Sequence, residues 1–520
     1  MTQVDAKGFA WRVDESIRRD QLLRCLSDWS EGRVLRRTPR RCVKLVTSDG
    51  RSLVVKHFYH GGPGQILKAL FRGTPAAAEW RALREAMAAG VPTCQPLGCG
   101  EKGEVLARES VLVTQALENV VSLRDCLSGP NRVVGRLRWQ VLSKVAALVR
   151  KAHDLGFYLR DLHTGNILVR LSAGGVEAYL VDLQGRSKGR SLYPQERWKN
   201  LAQLHGGSTE ASRTDGLRFL RWYLSQPTLL DCSLRAVIRE LESKGLRHRH
   251  VLWQKRQKRC VRENRDFVRV KTAAFFGFAR REYWNEDFVR LVGKPERVLE
   301  LPGTGIVKDS KTTTVGLNRD LPQNFYIKRY NYQGLAYAAK DLFRYSRVRR
   351  TWIAANGLHM RGIPVALPLA YLERRRRGIL LESYILTKAK SGEILRDIFR
   401  RYDQSGHRFQ EKRVLLESLA RLIKKLHLTG VAHRDLKASN LIVRDARAGG
   451  YKLYIVDFDG IDLGVFSRRK RVKNLARLAQ ECRRHTCFTR SDRLRFLTAY
   501  LGARDKNSWK RLWSRVRSRM

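Results

Sequence analysis

Apolar residues recur at helical spacing in two separate parts of the chain. Between positions 141 and 152 they lie on one face of a helix, and the same arrangement returns between positions 415 and 426, shifted by 274 residues. The matched pairs are Val141 and Leu415, Leu142 and Leu416, Val145 and Leu419, Leu148 and Leu422, Val149 and Ile423, and Ala152 and Leu426. The pattern predicts two equivalent amphipathic helices.

Strand patterns precede the first of these helices. Residues 42–46 and 52–56 are rich in apolar and β-branched side chains, and a polar Ser-Asp-Gly turn at residues 48–50 separates them. This combination is typical of a β-hairpin. Residues 1–35 are interpreted instead as a mixed helical lead-in.

Further matches, shifted by 272 residues, extend the repeat toward the start of each copy. They are Lys56 and Lys328, Trp80 and Trp352, and the Gly-Val-Pro of residues 90–92 and the Gly-Ile-Pro of residues 362–364. We infer a tandem duplication, because 520 residues leave about 260 for each copy, which is enough for a two-lobed core. We predict a first domain at residues 1–250, a basic linker and lead-in at 251–299, and a second domain at 300–520.

Each copy also carries the same set of polar residues around two apolar strands. In the second copy Asn440 follows Asp435 by five residues, and Asp457 comes seventeen residues later, at the end of an apolar run. The first copy has the corresponding residues Asp161, Asn166 and Asp182. The loop aspartate can face an incoming hydroxyl, while the carboxamide and the strand-end carboxylate supply oxygen ligands for magnesium. A capped turn would explain any one of these residues, but not the repetition of the set.

A lysine ends a strand in each copy. Lys56 and Lys328 stand where a kinase places the lysine that holds the nucleotide's phosphates. Glu79, on a predicted helix, would pair with Lys56, whereas the aligned residue in the second copy is Thr351. The second copy therefore lacks this pair unless another carboxylate substitutes. Neither copy has a Gly-x-Gly-x-x-Gly loop before its lysine, and the second offers the hydroxyl-rich segment 308–314 instead.

These positions resemble those of the protein-kinase-like phosphotransferases. The resemblance implies an α+β fold of two tandem protein-kinase-like domains, each with a small β-rich N-lobe and a helical C-lobe, and it implies ATP and Mg²⁺ as cofactors. It assigns a catalytic role to Asp161 and Asp435, ATP binding to Lys56, Lys328 and Glu79, and metal binding to Asn166, Asp182, Asn440 and Asp457.

Other features resemble a narrower family, the bacterial lipopolysaccharide core kinases. They are the absent glycine loop, the Gly-Val/Ile-Pro turn, the Asp-Leu-Gln of residues 182–184 in place of Asp-Phe-Gly, and the Lys-Asn-Leu-Ala of residues 199–202 and 473–476. The resemblance implies phosphorylation of heptose or Kdo sugars of the lipopolysaccharide inner core, at the cytoplasmic face of the inner membrane.

The charge of the chain is strongly positive. It has 103 Lys and Arg against 49 Asp and Glu, a net charge of +54. Such a field attracts nucleic acid, an anionic membrane surface or a phosphorylated glycolipid, and charge alone does not distinguish them. With the resemblance, the favoured partners are the lipopolysaccharide core glycolipid and the anionic inner-membrane surface, and nucleic acid is disfavoured. The oligomeric state stays open.

The location is predicted from absent patterns. No signal-peptide pattern and no run of 18 apolar residues occurs, and the nine cysteines are scattered without a Cys-x-x-Cys pair, which indicates free thiols. We therefore expect a cytoplasmic protein, peripheral on the inner face of the inner membrane. The C-terminal segment from Trp509 spaces its apolar residues by three and four, which fits either a helix on an anionic membrane or a packed terminal helix.

Other functions fit the sequence less well. A protein Ser/Thr kinase is favoured by the segment from His433 to Lys437, but His163 at the matching place in the first copy and the missing Ala-Pro-Glu segment after Asp457 argue against it. Antibiotic or small-alcohol phosphotransferases have no need for such a positive field. A non-catalytic basic scaffold would not need to retain the Asp and Asn set. We expect both copies to be active.

Overall fold

A computed structural model describes most of the chain, which divides into two compact units, Met1–Arg249 and His250–Met520. The described residues are 2–6, 8–16, 32–38, 40–48, 50–59, 73–103, 109–128, 130–183, 185, 187–207, 211–225, 234–301, 304–319, 324–331, 334, 345–405, 409–446, 450–464, 467–502 and 506–520.

The first unit begins with an antiparallel sheet whose strand order is β1-β2-β6-β7-β5-β4-β3. Its strands are β1 (Thr2–Ala6), β2 (Phe9–Val13), β3 (Arg33–Thr38), β4 (Arg41–Ser48), β5 (Arg51–Tyr59), β6 (Pro96–Lys102) and β7 (Glu109–Gln115). Strands β4 and β5 form the hairpin that the sequence predicted. The predicted helical lead-in is wrong where β1 and β2 lie, because Trp11 and Val13 alternate with polar residues and are buried in the core under the sheet.

A helical lobe follows this sheet. Helix α1 (Pro75–Ala88) belongs to the N-lobe. The helical lobe contains α2 (Leu123–Ser128), α3 (Gly135–Asp154), α4 (Pro194–Gly207), α5 (Arg213–Tyr223) and α6 (Leu234–Gln257), whose last residues fall in the second unit, and a small sheet is formed by β8 (Val120–Ser122), β9 (Ile167–Ser172) and β10 (Gly175–Leu180). Helix α1 packs against the N-terminal sheet through Trp80 and Leu83. The predicted apolar face of α3 is buried at every position, which confirms the helix.

The second unit repeats this architecture. Its sheet has the order β11-β12-β16-β17-β15-β14-β13. The strands are β11 (Phe267–Lys271), β12 (Phe276–Arg280), β13 (Thr304–Ser310), β14 (Thr313–Asn318), β15 (Phe325–Tyr330), β16 (Pro368–Arg376) and β17 (Ile379–Lys388). Residues 251–299, predicted as a basic linker and lead-in, thus include β11, β12 and two short helices, α7 (Glu286–Gly293) and α8 (Pro295–Val298). This segment is part of the folded unit.

The remaining elements of the second unit are α9 (Arg347–Met360), which belongs to the N-lobe, and the elements of the helical lobe. The latter are α10 (Leu395–Ser405), α11 (Phe409–Leu428), α12 (Arg468–Cys482), α13 (Arg490–Leu501), α14 (Lys506–Arg517), β18 (Glu393–Ile394), β19 (Ala432–His433), β20 (Leu441–Ala446), β21 (Gly450–Ile455) and β22 (Ile461–Asp462). The predicted apolar face of α11 is buried throughout. Helix α14 buries Leu512 and Val516 in the core of this lobe, so its apolar face is packed within the domain.

Sequence also explains where equivalent helices begin. Ser212 precedes α5 and Thr489 precedes α13, and each forms a capping box with an aspartate three residues later, Asp215 or Asp492. The reciprocal hydrogen bonds satisfy backbone N–H groups that have no partner within the helix.

The strands and helices listed above give each unit a β-rich N-lobe and a helical C-lobe, which confirms the α+β fold class. No helix in the described part of the chain is both long and apolar enough to span a bilayer.

The position of β12 in the second sheet can be tested at Gly277. A Cβ atom there would collide with the carbonyl oxygen of Tyr371 on the neighbouring strand β16, so Gly277→Ala forces the two strands apart. We expect the substitution to lower the free energy of unfolding of the second domain by about 1–3 kcal/mol. Calorimetric unfolding of the full chain measures this loss. Gly305→Ala in β13 is the control, because nothing lies within 4 Å of its added Cβ. Equal unfolding of the two variants would contradict the pairing.

Candidate active sites

In the first domain, a buried lysine on strand β5 binds two carboxylates. Lys56 Nζ lies 2.6 Å from Glu79 Oε1, on helix α1, and also contacts Asp182, which follows β10. Burial disfavours the charged lysine, but the charges of Glu79 and Asp182 outweigh this and raise the pKa of Lys56. The ion pair expected between Lys56 and Glu79 is therefore present, and the strand-end aspartate joins it.

A second cation, which the sequence did not suggest, also approaches Asp182. Arg41 opens β4, directly after the turn that follows β3, and its Nη1 lies 3.5 Å from Asp182 Oδ2. A glycine-rich loop occupies this place in protein kinases. The guanidinium therefore adds positive charge at the position where a nucleotide's phosphates would meet the N-lobe.

The loop between α3 and β9 holds the other predicted residues of the first site. Asn166 Nδ2 donates to the carbonyl oxygen of Asp161 at 3.1 Å, which engages the amide nitrogen and leaves the carboxamide oxygen as a ligand. The Asp161 side chain is 56% exposed, and its Oδ2 lies 3.6 Å from His163 Nε2. The interaction with His163 lowers the pKa of Asp161. Asp161 is thus an accessible carboxylate.

The second site has the same lysine with a different partner. Lys328 Nζ on β15 lies 3.4 Å from Asp457 Oδ1 and 2.9 Å from Asp459 Oδ2. Thr351, the residue aligned with Glu79, is on helix α9, and its Oγ1 lies 2.8 Å from Asp459 Oδ1. The sequence left open whether a carboxylate substitutes for the missing glutamate. The structure shows that Asp459 supplies a carboxylate beside Lys328. Its position two residues after Asp457 in the sequence did not indicate this ion pair.

The candidate catalytic aspartate of the second site has more positive charge around it than that of the first. Asp435 Oδ2 lies 2.7 Å from Lys437 Nζ, and its Oδ1 lies 3.3 Å from Arg477 Nη2. Burial opposes ionisation, but these two cations prevail and lower the pKa of Asp435. Asn440 Nδ2 donates to the carbonyl oxygen of Asp435 at 3.0 Å, as in the first copy. His433 Nε2 lies 3.1 Å from the carbonyl oxygen of Asp457, a contact that Leu159 cannot make.

A buried asparagine holds the start of each catalytic loop, and the sequence did not identify this role. In the first domain Asn200 Nδ2 donates to the carbonyl oxygen of Leu159 at 2.7 Å, while its Oδ1 accepts from the Leu159 N–H at 3.1 Å. The same Oδ1 lies 3.0 Å from His153 Nε2, and His153 Nδ1 lies 2.7 Å from the Tyr223 hydroxyl. Burial lowers the pKa of His153 to about 4, so the ring is neutral at pH 7.

The second domain repeats this arrangement atom for atom. Asn474 donates to the carbonyl oxygen of His433 at 2.8 Å and accepts from its N–H at 3.1 Å. His427 lies between Asn474 and the Tyr500 hydroxyl, at 3.3 and 2.6 Å. The asparagine is the second residue of each Lys-Asn-Leu-Ala segment. The repetition of that segment was the indication in the sequence that could have led to it.

Comparisons of the sequence with known proteins identify the family. The model of the lipopolysaccharide kinase (Kdo/WaaP) family matches residues 28–223 and 307–500. The chain belongs to this family. It carries the family's domain twice, which confirms the tandem duplication, and as a member of a kinase family it is a kinase that uses ATP.

Two curated members of the Kdo/WaaP family illustrate the similarity. The chain is 31% identical over 227 residues to the lipopolysaccharide core heptose(I) kinase WaaP of Pseudomonas aeruginosa, a match that covers 40% of this chain and 81% of that protein. It is 31% identical over 165 residues to the 3-deoxy-D-manno-octulosonic acid kinase of Mannheimia succiniciproducens, covering 30% of this chain and 65% of that one. Among solved structures, WaaP in complex with acyl carrier protein matches with 26% identity and a TM-score of 0.36, covering 46% of this chain and 98% of that chain.

The asparagine that holds the catalytic loop of this family member gives a direct test of loop positioning. Asn474→Ala leaves the buried backbone groups of His433 without their partner, which we expect to cost about 1–3 kcal/mol of unfolding free energy. The loop that carries Asp435 loses its anchor at the same time, so kinase turnover should fall as well. Calorimetry and a phosphoryl-transfer assay in an Asp161→Asn background measure the two effects. Lys473→Ala, at an exposed neighbouring position, is the control. Equal behaviour of both variants would contradict the role of Asn474.

Proposed function

We propose that each domain transfers the γ-phosphoryl group of ATP to a hydroxyl of a heptose or Kdo sugar in the lipopolysaccharide inner core. The observation that carries the proposal is the presence in both domains of a lysine, two carboxylates and a loop Asp-Asn pair in one cleft. Membership of the lipopolysaccharide kinase family supports the acceptor. The names of the curated relatives support both sugars, since one is a heptose kinase and another a 3-deoxy-D-manno-octulosonic acid kinase.

Asp161 and Asp435 are the proposed catalytic bases. The sugar oxygen attacks the γ-phosphorus, the bond to the β,γ-bridging oxygen breaks, ADP leaves, and the hydroxyl proton passes to the aspartate. A lowered pKa keeps both carboxylates ionised at neutral pH, so that each can accept a hydrogen bond from the incoming hydroxyl. Positioning of that hydroxyl is the main contribution of the loop.

Lys56 and Lys328 are the proposed ATP-binding residues, and Glu79 orients Lys56. Each lysine already lies beside the strand-end aspartate, so its charge is held where the α- and β-phosphates would come. Asn166 with Asp182, and Asn440 with Asp457, would hold Mg²⁺ through one carboxamide and one carboxylate oxygen. Bound Mg²⁺ would neutralise charge on the phosphates as the phosphoryl group is transferred. This donor set suits magnesium, which keeps water and phosphate ligands and rarely needs a full protein cage.

We propose that the protein acts at the cytoplasmic face of the inner membrane, to which it would bind peripherally. The net charge of +54 supports attraction to anionic lipids and to the phosphate-rich acceptor. Around the second site, Lys437 and Arg477 add positive charge beside the catalytic aspartate itself. An acceptor that already bears phosphate would be drawn to this cleft.

Separate substitutions of the two bases test the proposal. Asp161→Asn and Asp435→Asn should each remove one phosphorylation event, lowering the rate at that site by about 10²–10⁴-fold, because the amide cannot accept the proton. Mass spectrometry of dephosphorylated core lipopolysaccharide, incubated with MgATP and each variant, counts the phosphates added. Asp445→Asn, at an exposed position on β20, is the matched control. If one substitution leaves all phosphorylation intact, that domain is not catalytic. If wild-type protein adds no phosphate to the glycolipid, the acceptor is wrong.

A further inference from the structure

The second domain has to balance the charge of Lys328 without a glutamate on its N-lobe helix. The ammonium group is largely enclosed, with 22% of the side chain exposed, and a cation in such a place needs anionic partners. Asp457 lies at 3.4 Å, which is long for an ion pair, whereas Asp459 lies at 2.9 Å. Asp459 is therefore the nearer anionic partner of this lysine.

Four side chains hold Asp459 in one orientation. Its Oδ2 lies 2.9 Å from both Lys328 Nζ and Arg347 Nη2. Its Oδ1 lies 2.8 Å from Thr351 Oγ1 and 3.2 Å from the Tyr330 hydroxyl. Burial opposes ionisation, but Lys328 and Arg347 outweigh it and hold the pKa of Asp459 at about 2. Both oxygens of Asp459 thus have hydrogen-bond donors, which hold the carboxylate beside Lys328.

We propose that Asp459 is the positioning residue for Lys328, taking the part that Glu79 plays for Lys56. The proposal rests on the proposed function, because it concerns how the phosphate-binding lysine of the second site is held. It assigns to Asp459 no contact with substrate. The residue acts through Lys328.

The two domains place the same charge on different elements. In the first, the carboxylate is on helix α1 and the residue two after the metal aspartate is Gln184. In the second, the helix position holds Thr351 and the residue two after the metal aspartate is Asp459. In the sequence of the second domain, the carboxylate has therefore moved from the helix position to the position two residues after the metal aspartate. The lysine contacts two carboxylates in each domain.

The different location of the carboxylate changes which element of the fold positions the lysine. In the first domain the ion pair joins strand β5 to helix α1, so a displaced helix breaks the pair. In the second domain Asp457 and Asp459 are on the same loop, and helix α9 contributes Thr351 and Arg347 to Asp459. The lysine and the metal-binding loop are thereby coupled directly. Nucleotide binding at the second site should depend on this loop more than on the helix.

Moving the carboxylate from position 459 on the loop to position 351 on helix α9 tests the proposal. In the full chain with Asp161→Asn, so that only the second site reports, Asp459→Gln should lower kcat/KM for MgATP by about 100-fold, the effect of a misplaced catalytic group. Thr351→Glu combined with Asp459→Gln rebuilds the arrangement of the first domain and should recover most of that loss, to within about fivefold of the parent. Thr351→Glu alone, which leaves both carboxylates, should not improve on the parent.

Two controls separate positioning from other roles. Asp462→Asn changes a nearby carboxylate on strand β22, one paired with Lys470, and should leave kcat/KM unchanged. Calorimetric titration with MgADP, in a Lys56→Met background so that only the second site binds nucleotide, needs no acceptor sugar. It therefore reports on Lys328 even if lipopolysaccharide proves to be the wrong acceptor. The same ranking of variants is expected in affinity for MgADP.

Three outcomes would overturn the proposal. The first is full nucleotide affinity in Asp459→Gln. The second is a relocated-charge variant that folds, as judged by its melting temperature, yet binds nucleotide no better than Asp459→Gln. The third is a loss in Asp459→Gln that excess Mg²⁺ restores, which would make Asp459 a metal ligand. If Asp459→Gln itself fails to fold, the relocated-charge variant and Thr351→Val, which weakens the hold on Asp459 and should lower affinity severalfold, decide the question.

Discussion

A lysine amino group in the N-lobe sheet, buried in the first domain and largely enclosed in the second, is the constraint on which each domain depends. A cation enclosed by protein is costly unless carboxylates surround it, and those carboxylates must come from other elements of the chain. In the first domain they come from helix α1 and from the loop after β10, so the pair links N-lobe and C-lobe. In the second domain both come from one loop. The need for negative charge is the same in both, and its source differs.

The groups that the two copies share show what the chemistry requires. Each keeps a loop aspartate, an asparagine bonded to the carbonyl oxygen of that aspartate, and a buried Asn-His pair beneath the loop. What surrounds the catalytic aspartate has diverged, since His163 faces Asp161 while Lys437 and Arg477 face Asp435. Two conserved centres with different surroundings are what we expect of one reaction performed on two acceptors.

The sequence predicted those parts of the fold and the site that depend on periodicity or on spacing along the chain. The apolar faces of α3 and α11 and the β4–β5 hairpin are of this kind, and so are the Asp and Asn pairs of the catalytic loops. Strands β2, β11 and β12 were not predicted, because each is only five residues long and is recognised only by the sheet that it joins. Asp459, Arg41 and Asn474 were missed for a related reason. Each acts on a residue distant in sequence, and no local pattern records such a contact.

Both domains should hold a working nucleotide site. The stoichiometry of nucleotide binding tests this most directly. Titration calorimetry of the full chain with Mg²⁺ and a non-hydrolysable ATP analogue should give two sites per chain. Lys56→Met and Lys328→Met should each leave one site, and the double variant none. A wild-type stoichiometry of one, or a lysine variant that still binds two equivalents, would contradict the account.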